Sequence, residues 1–193
     1  LNSLSVNAGN DINVDAKIGQ DRDAVTTTGA ITMTAGNDIT VNQDVVTRDA
    51  PLSVTATAGT VTVANSKHLR AGNGTLSVSA GSNLSTDEYY TTGSLNITST
   101  GGTVAIDTVI PQTTGALTIN GVGVAVNQSI ITDQGITFNV GATGFTLGAG
   151  TSDFDQIEID SQEGNLSITS IGNISLIENY SALASSAEVS LIS

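Results

Sequence analysis

The sequence predicts an all-β chain: a right-handed parallel β-helix, or β-solenoid, of about eight coils of ~22 residues with three short strands each, forming one unit over residues 1–193. Three observations predict it. A triplet-glycine-triplet frame recurs along the chain, apolar and polar residues alternate within each triplet, and the composition lacks what other fold classes need.

The frame is plainest in two near copies, Leu4-Ser-Val6-Asn-Ala-Gly9-Asn-Asp-Ile12-Asn-Val14 and Ile31-Thr-Met33-Thr-Ala-Gly36-Asn-Asp-Ile39-Thr-Val41. It returns as Leu52-Ser-Val54 with Val61-Thr-Val63, Leu76-Ser-Val78 with Leu84, and Leu95-Asn-Ile97 with Val104-Ala-Ile106. Leu117-Thr-Ile119 with Val124-Ala-Val126 and Ile136-Thr-Phe138 with Phe145-Thr-Leu147 continue it, and Ile157-Glu-Ile159 followed by Leu166-Ser-Ile168 makes an eighth. From Leu4 to Ile157 is 153 residues over seven intervals, about 22 per repeat, a solenoid period.

Alternation places each apolar pair on one face of a short strand. A third apolar site follows the second triplet at Ile18, Val45-Val46, Leu69, Tyr89-Tyr90, Val109-Ile110 and Ile130-Ile131. Val41-Asn-Gln-Asp-Val-Val-Thr47 and Val126-Asn-Gln-Ser-Ile-Ile-Thr132 are almost the same heptapeptide. One repeat cannot bury its inner face alone, whereas stacked repeats can, at roughly 4.8 Å per strand. Parallel crossovers are right-handed as a rule. An antiparallel sandwich or barrel also uses many short strands, but it does not require one frame eight times over. The glycines between triplets (Gly9, Gly36, Gly59, Gly81, Gly102, Gly121, Gly141) are expected at corners that need positive φ or close stacking.

Composition narrows the function. The chain has 21 Gly, 2 Pro, no Cys and no Trp, with 38% hydrophobic residues and 12% charged ones. That is too apolar for disorder and well below the about 25% charge of ordinary domains. A net charge of −13 argues against nucleic acid as a partner, since phosphate binding rests on Lys and Arg. No apolar run approaches the about 20 residues of a spanning helix, so no membrane insertion is expected. Without Cys, disulfides and zinc-thiolate sites are excluded. The opening Leu1-Asn2-Ser3 shows no leader and reads as a mature piece or an excised segment.

The catalytic inventory is thin. His68, the single His, lies in Lys67-His68-Leu69-Arg70 and is expected to face solvent. Gly72-Asn-Gly74 and Gly121-Val-Gly123 lack the Lys and the strand-to-helix context of a phosphate loop. Acids cluster at Asp21 and Asp23, at Asp87-Glu88, and at Asp153, Asp155, Glu158 and Asp160. The last group is the one candidate for a polysaccharide-acting pair, but no cation lies near it in sequence to stabilise a developing anion. The expectation is therefore no enzyme and no cofactor. Calcium asks for several oxygen ligands, and Asp11 and Asp38 sit in Gly-Asn-Asp turns where Asp more often bonds local amides. Asp15, Asn42, Asp107 and Asn127 each follow a second triplet and are expected to stack as a ladder.

The outward positions of the first triplets supply the candidate contact face. They are Ser5, Thr32, Ser53, Ser77, Asn96, Thr118 and Thr137, and beside them Asn7, Thr34, Thr55, Ser79, Thr98, Asn120 and Asn139. Stacking would align them as two hydroxyl- and amide-rich columns on an uncharged face. Such a face serves as a hydrogen-bonded solvated surface, as a sugar- or matrix-binding plane, or as a lateral contact. Ice binding would ask for a more regular Thr array.

The frame Leu-x-Val-x-Ala-Gly-Asn-Asp-Ile-x-Val, in a Cys-free chain rich in Ser, Thr and Asn, resembles the repeats of filamentous haemagglutinin-type exoproteins, the large adhesins of Gram-negative two-partner secretion. The resemblance spans nearly the whole chain, best in residues 1–65 and 93–140. It implies a right-handed β-helical shaft that is secreted or displayed on the bacterial surface. Adhesion to a glycan or protein of a host or neighbouring cell would be its role. A fibre subunit stacking through open solenoid ends, and a polysaccharide-acting enzyme, are the rival expectations.

Overall fold

A computed structural model describes residues 3–19, 29–85, 89–108, 110–113, 115–148, 157, 159–176 and 189–193. Among them there are 21 strands, numbered β1 to β21 in chain order, and no helix. Strands at the same position in successive repeats stack on one another, without a break for the first positions and in separate runs for the second and third. The first positions are β1 (Leu4–Ala8), β3 (Ile31–Ala35), β6 (Leu52–Ala56), β9 (Leu76–Ala80), β12 (Leu95–Ser99), β15 (Leu117–Val126), β17 (Ile136–Leu147), β19 (Leu166–Ser170) and β21 (Val189–Ile192). They lie side by side in that order as one long sheet. Every pairing in it is parallel, and most keep like with like, as in Leu52↔Leu76, Val54↔Val78 and Ala56↔Ala80.

The second positions are β2 (Ile12–Val14), β4 (Ile39–Val41) and β7 (Val61–Val63), a sheet of their own. After them come β10 (Leu84–Ser85), β13 (Thr103–Ile106), the far halves of β15 and β17, and β20 (Ile174–Leu176). The third positions form two short sheets. One holds β5 (Val45–Val46), β8 (Leu69–Arg70) and β11 (Tyr89–Tyr90), and the other β14 (Ile110–Thr113), β16 (Ile130–Thr132) and β18 (Ile159–Ser161).

Period-two alternation explains the burial. In β6, Leu52, Val54 and Ala56 are buried while Ser53 and Thr55 are half-buried on the other face. The same holds in β9 and β12. Strands of all three positions contribute apolar residues to one continuous core. Burying each Leu, Ile or Val there contributes about 1.5–3 kcal/mol. In the seventh repeat Phe138 and Phe145, from the two halves of β17, meet edge to face with ring centroids 5.1 Å apart.

One expectation is corrected. Ile157-Glu-Ile159 does not open the eighth repeat. Ile159 pairs with Ile130, so this segment belongs to the third position of the seventh repeat. Leu166 pairs with Ile136 and Ile168 with Phe138, which makes Leu166–Ser170 a first strand; Ile174–Leu176, paired with Phe145–Leu147, is the second. A triplet looks alike at all three positions, so alternation alone does not say which face it occupies. Of the two reasons expected for the corner glycines, positive φ or close stacking, the structure shows the second. Positive φ among described glycines falls at Gly19, Gly72, Gly144 and Gly148, not at the seven frame glycines. Close stacking leaves no room for a Cβ at Gly36, Gly59, Gly81 and Gly102, as where one on Gly36 would overlap the Gly9 carbonyl of the repeat below, whereas Gly9 itself has open space there.

Candidate functional site: an uncharged face and a cleft

The long sheet brings the fourteen candidate residues together. One column runs Ser5, Thr32, Ser53, Ser77, Asn96, Thr118, Thr137, and the other Asn7, Thr34, Thr55, Ser79, Thr98, Asn120, Asn139, each residue paired with the next. All are half-buried or exposed, and all point away from the apolar core. Ser167 and Thr169 extend both columns through their pairing with Thr137 and Asn139. Sequence reasoning missed these two because it gave Leu166-Ser-Ile168 to the second position. A signal was there: Leu166-Ser-Ile-Thr-Ser170 differs from the first strand Leu95-Asn-Ile-Thr-Ser99 at one residue.

The columns are partly cross-linked. The Asn139 Nδ2 donates to Asn120 Oδ1 at 2.8 Å, and Asn120 Nδ2 donates to Thr98 Oγ1 at 3.1 Å. Strand spacing brings equivalent side chains within reach of one another, so amides chain together up the face. The face thus carries an amide-linked stretch from Thr98 to Asn139, with no ionic side chain at any of these positions.

Corner residues hold successive repeats in register. Asp11 Oδ1 accepts from Asn37 Nδ2 at 3.0 Å and from the Asp38 amide at 3.1 Å. Asp38 Oδ1 in turn accepts from the Thr60 amide at 2.7 Å and the Thr60 hydroxyl at 3.1 Å. These acids thus serve as caps for the next repeat's backbone. The expected ladder after the second strands forms between Asn42 and Asp15 at 2.8 Å and between Asn127 and Asp107 at 2.7 Å. The near-identical heptapeptides gain an explanation too. Their last residues, Thr47 and Thr132, are fully buried and donate to the carbonyls of Ala50 and Gln134, both at 2.5 Å.

His68 is less solvated than its place in the sequence implied. It is half-buried, stacks edge to face on Tyr90 at 4.9 Å, and places Nδ1 3.3 Å from Asp44 Oδ1. Register explains this, since β8 and β11 pair and set Tyr90 beside Arg70 one repeat above. Asp160 lies in β18 opposite Ile131, half-buried. Asp21, Asp23, Asp87, Glu88, Asp153, Asp155 and Glu158 lie outside the described residues, as does Val109. Among the described residues no three His, Asp or Glu side chains are grouped so as to hold a metal ion, and no helix is long and apolar enough to cross a membrane.

A cleft of about 510 Å³ opens between β7 and β10. Here the stack of second strands is interrupted: β7 pairs with β4 and β10 with β13, and no described pairing joins β7 to β10.

Fold and surface together define a class, an all-β repeat protein of parallel strands stacked in a long sheet with an uncharged polar face. No family model, curated protein or solved structure matches the chain.

Proposed function

We propose that the chain is a section of a closed, right-handed β-helical shaft, secreted or displayed on a bacterial surface, whose uncharged face adheres to a glycan or protein of another cell. The shaft does no chemistry of its own. One observation carries the reading: fourteen hydroxyl and amide side chains stand in register on one sheet face without a charge among them. In a chain of net charge −13 an uncharged strip of this length is where an approaching surface meets least electrostatic repulsion. Aligned hydroxyls and amides offer both donors and acceptors to a polar partner.

The test is adhesion of the whole chain to cells and to immobilised glycans, compared with a variant carrying Thr32→Glu, Thr55→Glu and Thr118→Glu. Outward substitutions of this kind should leave the circular-dichroism spectrum and melting temperature nearly unchanged and should abolish attachment. Undiminished attachment by the folded variant would overturn the role given to this face.

A further inference from the structure

We infer that the cleft between β7 and β10 binds an uncharged saccharide of one or two rings. This goes beyond the adhesive face, because the cleft lies on the stack of second strands and shares no residue with the fourteen positions. Its volume of about 510 Å³ falls within the about 300–1,000 Å³ typical of small-ligand sites.

The lining combines two chemistries. Val61, Val63, Leu84, Tyr89 and Ala105 are its apolar members, and Thr60, Thr62, Asn83, Ser85 and Thr103 its polar ones. Among the described residues no Lys, Arg, Asp or Glu lines it. A sugar ring offers the matching pair of surfaces, C–H faces for the apolar members and hydroxyls around the edge.

Neighbouring groups set the polarity of the hydroxyls. Thr60 donates its hydroxyl hydrogen to Asp38 Oδ1 at 3.1 Å, and Ser85 donates its own to Asp107 Oδ2 at 3.2 Å. With those hydrogens committed to carboxylates, the two oxygens present lone pairs and act as acceptors. Asn83 Oδ1 takes the Thr103 amide at 2.9 Å, so its remaining hydrogen-bonding group is an Nδ2 donor. Two acceptors and a donor fit a polyol. The carboxylates of Asp38 and Asp107 stand one bond behind the cleft wall and disfavour an anionic ligand.

The test is saturation-transfer NMR on the full chain with glucose, galactose, mannose, N-acetylglucosamine and lactose, and with glucuronate as the charged counterpart of glucose. Transfer to at least one neutral sugar is expected, with glucuronate weaker than glucose. Ala105→Trp, which fills the cleft from the β13 side, should abolish transfer. Ser85→Ala, a milder change, should weaken affinity about tenfold, as loss of one hydrogen bond does. Melting temperature certifies the fold of each. Absence of transfer to every neutral sugar overturns the inference, as does undiminished binding by a folded cleft variant or tighter binding of glucuronate. The triple glutamate variant of the flat face separates the two readings: it should bind sugar in the cleft normally even when it no longer adheres, and loss of both would overturn a separate cleft site.

Discussion

The corner between first and second strands is built in two ways, one in the first two repeats and the other in the sixth and seventh. In the first two repeats the chain breaks out of β1 and β3 at Gly-Asn-Asp and re-enters as β2 and β4, with Asp11 and Asp38 bonding the amides above. In the sixth and seventh repeats the strand does not break. β15 runs for 10 residues and β17 for 12, turning through glycines while their backbones stay paired, apart from a register shift between Gly121 and Gly123. Either way the amides that a corner would strand find partners, as buried backbone requires. Side-chain caps make a sharp corner whose acid reaches up one repeat, whereas glycine corners let the ladder carry itself. The cleft sits between these regimes, where β7 ends the capped sheet and β10 begins the one continuous with β15.

The largest expected effect falls in the region of continuous strands. Phe138→Ala removes a fully buried ring and its partner for Phe145, and should cost about 3–5 kcal/mol in urea unfolding. Next are the glycines. Gly144 has φ of 94° and faces the Asn173 carbonyl, so Gly144→Ala meets both backbone strain and overlap and should cost about 1–3 kcal/mol. Gly36→Ala should cost a similar amount from overlap alone. Gly9, the same motif position, has open space for 4 Å around the point where a Cβ would stand; Gly9→Ala should stay within about 0.5 kcal/mol. Equal losses at Gly9 and Gly36 would show that the motif, not the stacking, demands glycine.

Smaller effects test the caps. Asp38→Ala strands the Thr60 amide in a partly buried corner and should cost about 1–2 kcal/mol. Asp11→Ala, at an exposed corner, should cost less than half of that in the same urea titration. Thr132→Val keeps the shape but deletes the donor to the Gln134 carbonyl, and about 1 kcal/mol is expected. If Asp11 and Asp38 proved equal, burial would not be what gives the cap its strength.

Much of the architecture was legible. Leu52-Ser-Val54 and Leu76-Ser-Val78 announce which side chains face in, and the structure pairs them residue for residue. The two polar columns followed from the same alternation, as did the Asp15 to Asn42 and Asp107 to Asn127 contacts. Ile157-Glu-Ile159 failed because a triplet carries no mark of its position within the repeat. The contact of His68 with Tyr90 was hidden for a related reason, since the two residues lie 22 positions apart and meet only through the pairing of β8 with β11. The cleft had no signal at all, because it lies where one strand pairing of the stack is missing among the described residues.

The sequence by itself determined the all-β class, the inward and outward faces of nearly every strand, and an outward face free of charge. These are local properties, set by a two-residue period and by side-chain type. Only the tertiary structure decided which triplet stacks on which, which frame glycines must be small, and where the stack parts. Those depend on the backbone of the neighbouring repeat about 4.8 Å away, and no window along one repeat contains it.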